Sequence, residues 1–191
     1  MADKWYVVQV FKGREEFMAG LISRVAPRAV LSECFYPRFA TEIKVRGRWV
    51  PVEKPLFPGY LIAITDDPAE LDRVLLSMPE PARVLTLGDV YVPLGRDEVE
   101  LIGGFTRPGE RVVPMSMGFK EGDRVVVTSG PLVGRQALIS SVNRRKSIAF
   151  LELDLCGRRV TTRVGLGILT PNGSSDARRA GMYVAEAGAR A

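Results

Sequence analysis

The chain has 191 residues, 46% of them hydrophobic, with 27 Lys and Arg against 22 Asp and Glu. That length suits one domain or two small ones, and the complete absence of histidine removes every Ser-His, Cys-His and His-metal mechanism. No cofactor or metal is expected, since Cys34 and Cys156 form no CxxC pair and are too few for a zinc site. No apolar run approaches membrane-span length, and the start MADKWYVV lacks the pattern of a secretory signal, so a cytoplasmic protein is expected.

In chain order, Lys4–Phe11 (KWYVVQVF) reads as a strand, broken at Gly13. Arg14–Val25 follows with Phe17, Met18, Leu21, Ile22 and Val25 on one helical face, and Pro27 marks its end. Glu33–Tyr36 is a second strand, and Thr41–Val45 with Arg48–Val52 forms a hairpin around Arg46-Gly47. Two prolines in Lys54–Pro58 lead to Gly59 and a buried strand, Tyr60–Ile64. Pro68–Leu76 is a short helix, with Asp66 and Asp67 placed to cap it. Arg83–Leu87 is another short strand, and Asp97–Ile102 a last helical turn or two. Arg107–Gly118 is rich in Pro and Gly, as a linker would be.

Beyond it, Phe119–Arg163 is organised differently. β-Branched runs such as Val125–Val127 alternate with turn signals, and in Ile148–Leu155 the residues Leu151, Leu153 and Leu155 oppose Phe150, Glu152 and Asp154. Gly134 suits a backbone that passes close to another or opens a bulge. Charge is uneven too. Residues 1–118 carry 15 basic against 16 acidic side chains, whereas residues 119–171 carry 9 against 4. A polyanion partner should therefore touch the C-terminal part.

This C-terminal order of strand, glycine-bearing turn and strand resembles the KOW motif. Together with WYVVQVFKGRE, KPLFPGYLIAI and VPLGRDEVELI, in that order, the chain resembles the NusG family of transcription elongation factors. The resemblance implies an α+β protein: an N-terminal α/β sandwich (NGN-like, 1–107), a linker (108–118) and a five-stranded SH3-like KOW barrel (119–171). The tail 172–191, small and polar, is expected to be disordered. The resemblance also implies a monomeric, non-enzymatic protein riding on RNA polymerase, with an apolar depression of the first domain seated on the clamp helices of the largest subunit. The matching positions are Phe57 and Tyr60, with Trp5 nearby. As residues alone, all three also suit core aromatics.

Two departures matter. Family members that couple polymerase to Rho or to a small-subunit ribosomal protein carry phenylalanines where this chain has Leu132 and Cys156, which puts both partners in doubt. Met78-Pro79-Glu80-Pro81 replaces the family's gate-loop motif. In their place stands a basic apron: Asn143, Arg144, Arg145 and Lys146 at one tip, Arg158 and Arg159 at another. Such a tip is either a solvated turn or a phosphate-binding surface with Asn and Arg available to read bases. The second reading makes an RNA hairpin the partner, as in the specialised LoaP branch of processive antiterminators. A general NusG factor and a ribosome-associated KOW protein are the alternatives.

Overall fold

A computed structural model describes residues 4–106, 109–122, 124–155 and 158–169. The elements in order are β1 (Lys4–Gln9), α1 (Glu15–Val25), β2 (Glu33–Phe35), β3 (Arg38–Val45), β4 (Arg48–Pro55), β5 (Tyr60–Thr65) and α2 (Pro68–Leu76). Then come β6 (Arg83–Val84), β7 (Thr86–Leu87), β8 (Val90–Tyr91), α3 (Arg96–Phe105) and β9 (Val112–Val113). The last are β10 (Ser116–Glu121), β11 (Arg124–Ser129), β12 (Ile139–Asn143), β13 (Ile148–Leu155) and β14 (Arg158–Leu169). They form two compact units. The first takes residues 4–38, with Pro55–Val112 and Asp154–Val160; the second takes Phe39–Lys54, Val113–Leu153 and residues 161–169.

The first unit is built on a four-stranded sheet in the order β2-β5-β1-β6, with β1 antiparallel to β5 from Lys4↔Thr65 to Gln9↔Tyr60. Alternation sends Tyr6, Val8, Val10, Leu61 and Ala63 into one cluster with Met18, Ala19 and Ile22 of α1 and Leu71 and Leu75 of α2. The buried face of α1 differs from the one its periodicity predicts. Glu15, Met18, Ala19 and Ile22 face inward, while Phe17 and Val25 are exposed. Small Ala19 lets the helix lie close to the sheet, and the Arg14 guanidinium covers the Phe17 ring at 4.3 Å. Helix α2 keeps its expected bounds, since Pro68 opens it and the Asp67 carboxylate accepts the Glu70 N–H at 2.9 Å. Asp72 ties α2 to the strands beyond it, accepting from the Val84 amide at 2.9 Å and the Tyr91 hydroxyl at 3.2 Å.

The second unit contains a five-stranded sheet, β11-β10-β14-β13-β12, as the SH3-like reading requires. Its strands β10 and β11 are antiparallel, β10 and β14 parallel, β12 and β13 antiparallel. Leu151 and Leu153 are buried and Glu152 exposed, following the alternation in the sequence. The expected linker holds β9, and β10 opens at Ser116, before Phe119. The β3–β4 hairpin, placed by sequence within residues 1–107, packs with the second unit. Gly134 takes a positive φ of 75° in open space, so the turn is its reason. Close backbone approaches fall at other glycines, among them Gly118, where a Cβ would strike the Val126 carbonyl and the β10–β11 register shifts. The tail 172–191 lies outside the described residues.

Candidate functional site

In the first unit the geometry converges on Phe57–Tyr60. The Tyr60 amide donates to the Phe57 carbonyl at 3.1 Å, and Gly59 has φ +88°. Proline then glycine at the two central positions is what a type II turn demands, because the second must take a positive φ. Two contacts pin the turn. Its Gly59 carbonyl accepts the Val10 amide at 2.9 Å, and its Gly59 amide donates to a Glu15 carboxylate oxygen at 2.7 Å. The other Glu15 oxygen accepts the Gly13 amide at 2.9 Å. Glu15 is only 4% exposed. Burial acts to raise its carboxyl, but the amide hydrogen bonds outweigh that and hold it below the usual glutamate range.

This frame sorts the three aromatics singled out in the sequence. Phe57 is 5% exposed, so its ring offers no surface: the turn points it inward. Tyr60 is half-buried. Trp5 is half-buried and held within the unit, meeting the Phe35 ring edge-on at 5.5 Å and packing on Gly103 of α3. The Arg111 guanidinium lies 4.2 Å from the Phe35 ring and 5.2 Å from Trp5, paired with the Glu33 carboxylate. The sequence places Arg111 in a linker; in the fold it is buried, with φ +44°.

Sequence periodicity missed the aromatics that the surface does present. Phe11 is 62% exposed in the loop that Glu15 fastens to the turn, and Phe17 lies just after Glu15 on α1. The clue was local: Phe11 stands past the last paired residue of β1, next to Lys12-Gly13. The loop at Glu80 is ion-paired to Arg14. Cys34 is no nucleophile, since burial and the neighbouring Glu33 push its thiol up to about 12.

In the second unit, Arg144–Lys146 forms a single 3₁₀ turn with all three side chains exposed. Asn143 is its cap, with Oδ1 accepting the Lys146 amide at 3.1 Å. Ser147 closes the turn at φ +49° and is buried. Its carbonyl accepts from Leu166 N–H at 2.9 Å and from the Thr41 hydroxyl at 3.0 Å, and its own hydroxyl donates to Glu42 Oε1 at 2.8 Å. Arg144 also borders an open groove of about 780 Å³ with Lys120, Arg124, Gln136, Ser140 and Ser141. Arg159 is exposed but packs with the first unit, as does the start of β14, so it does not share the compact unit of the turn. The side chain of Arg158, and Cys156 altogether, lie outside the described residues. Leu132 is 1% exposed and thus a core residue.

A family model described as transcription termination factor nusG matches residues 3–103, more than half the chain. The chain belongs to the NusG family. A KOW motif model matches residues 121–152, within the second unit's sheet. The transcription termination/antitermination protein NusG of Thermus thermophilus is 29% identical over 172 residues, covering 83% of this chain and 92% of that one. Its counterpart in Campylobacter jejuni is 24% identical, covering 84% and 93%. A solved structure of Thermotoga maritima NusG, described by its domain interaction, aligns with a TM-score of 0.46 and 21% identity over 85% of this chain and 93% of that one. In NusG-family terms, the first unit holds the NGN-type sheet and the second the KOW sheet.

Proposed function

We propose that this NusG-family chain is a processive antiterminator that rides on RNA polymerase through its first unit and holds a structured leader RNA with its second. The observation that carries this reading is the Asn143–Ser147 turn. It presents Arg144, Arg145 and Lys146 to solvent on a backbone fixed at both ends by hydrogen bonds. A fixed cluster of cations suits a polyanion of fixed shape, since phosphate contacts position a partner and release counterions. RNA stems are recognised by shape and backbone, with bases read where a loop or bulge opens them. On the polymerase side, the pinned Phe57–Tyr60 turn supports a docking surface of Tyr60 and Phe11, with Phe57 as its internal support. Exposed aromatics on rigid backbone are the usual anchors of interfaces.

Burial of Leu132 further supports this reading, because the position offers no aromatic to a Rho- or ribosome-type partner. The general NusG factor is the second reading, favoured by relatives of that name that match over more than 80% of both chains. Binding of the full chain to the folded leader RNA of its own gene, across a salt series, separates the two. The antiterminator reading expects preference for the folded leader over an unrelated RNA of equal length. It also expects readthrough of a terminator that depends on Arg144, Arg145 and Lys146. No preference for the folded leader refutes it and leaves the general factor.

A further inference from the structure

We infer that the tip of the β3–β4 hairpin, Lys44–Arg48, is a second contact to the same structured RNA, gripping its phosphate backbone beside the Arg144–Lys146 turn. The inference rests on the RNA reading above and adds a site that lies far from the turn in sequence. The hairpin and the turn belong to one compact unit, joined at Ser147: Thr41 and Glu42 of β3 bond the residue that closes the basic turn. From Glu42 the strand runs outward. At about 3.3 Å per residue, Arg46 stands roughly 13 Å beyond that joint.

Between residues 44 and 48 the hairpin carries Lys44, Arg46 and Arg48, all exposed, with no acidic residue. Among the described residues none of these three, nor Arg144, Arg145 or Lys146, takes part in an ion pair. The loop itself is informative. Arg46 has φ +48° and Gly47 φ +82°, the paired positive values of a two-residue type I′ turn, where Asn or Gly is the easy choice at the first position. An arginine there keeps a charge at the apex against backbone strain, and strain held at an exposed tip points to use. Lys44 Nζ lies 6.0 Å from the centre of the Trp49 ring, near the outer limit of a cation–π contact.

With Arg46 roughly 13 Å out from the joint at Ser147, the hairpin tip and the basic turn reach different phosphates of one partner. A folded stem holds such phosphates at a fixed spacing, whereas a single strand must be ordered to present them. The partner is therefore a stem.

The test uses the full chain, with the folded leader RNA of its own gene as probe and a version whose stem is opened by base changes as control. The hairpin variant combines Lys44→Gln, Arg46→Gly and Arg48→Gln. Arg46→Gly relieves the left-handed strain, so the variant should melt no lower than the parent. Its log–log salt slope for the folded leader should fall by roughly 0.7 to 0.9 for each phosphate no longer neutralised, and its affinity by at least about tenfold. Binding to the opened control should change far less. An unchanged slope and affinity, while neutralising Arg144, Arg145 and Lys146 abolishes binding, overturns the hairpin contact and leaves the RNA reading standing. Equal losses on folded and opened RNA overturn the stem as partner. Should the parent chain itself show no preference for the folded leader, the RNA reading falls before any variant is made.

Discussion

The Glu15 carboxylate accepts the Gly59 amide at 2.7 Å, joining the start of α1 to a turn 44 residues further on. One buried side chain thereby sets both loops of the proposed polymerase-facing surface. Glu15→Ala should cost about 2 to 3 kcal/mol, because the buried Gly59 amide and the part-buried Gly13 amide lose a charged acceptor. The effect should depend on pH. The folded carboxyl titrates below its unfolded value, so the stabilisation is complete above about pH 4.3 and is lost as pH falls through the lower folded value. Urea titrations of the parent and Glu15→Gln should show a stability gap at neutral pH that closes in acid. A gap independent of pH would assign the stabilisation to packing alone.

Phe57 and Tyr60 should separate cleanly. Phe57→Ala empties a buried site and should destabilise by about 3 to 5 kcal/mol. Tyr60→Ala combined with Phe11→Ala should leave the melting curve close to the parent's and weaken capture of purified RNA polymerase, by on the order of 2 kcal/mol for a true anchor. A double variant that folds and binds polymerase normally removes this face from the interface.

Arg111 is a buried cation between two rings and a carboxylate. Arg111→Ala strands Glu33 and opens space beside Trp5 and Phe35, so a loss of about 3 to 5 kcal/mol is expected. Arg111→Lys should recover only part of it, because an ammonium lacks the planar fork that meets both carboxylate oxygens. Thermal melts monitored by tryptophan fluorescence measure both, and a full rescue by lysine would show that charge alone matters.

Asn143 is committed to its cap through Oδ1. Serine can make the same bond, so Asn143→Ser should bind the folded leader RNA about as tightly as the parent. Asn143→Ala should weaken binding by loosening the turn, at a cost of about 1 kcal/mol. If serine binds as poorly as alanine, the amide is reading the RNA directly.

What the sequence determined by itself was whatever local rules govern. Pro58-Gly59 specified a type II turn, Asp67-Pro68 the start of α2, and the alternation around Leu151 and Leu153 the buried face of β13. Each of these depends on residues within a few positions of one another, where sterics and hydrogen-bond geometry act directly. Family order was legible for the same reason, as short motifs with fixed local shapes. Only the tertiary structure decided which way each side chain faces its surroundings. Phe57 reads identically as an anchor or a core ring, and its burial depends on what distant segments cover it. Arg111 looks like linker charge until Glu33, Phe35 and Trp5 surround it. The β3–β4 hairpin reads as part of the first domain because its neighbours in sequence do. Bonds from Thr41 and Glu42 to Ser147, more than 100 residues away, bring it to the second unit. Hydrogen bonds and burial at that separation follow from the path of the whole chain, which no local spacing encodes.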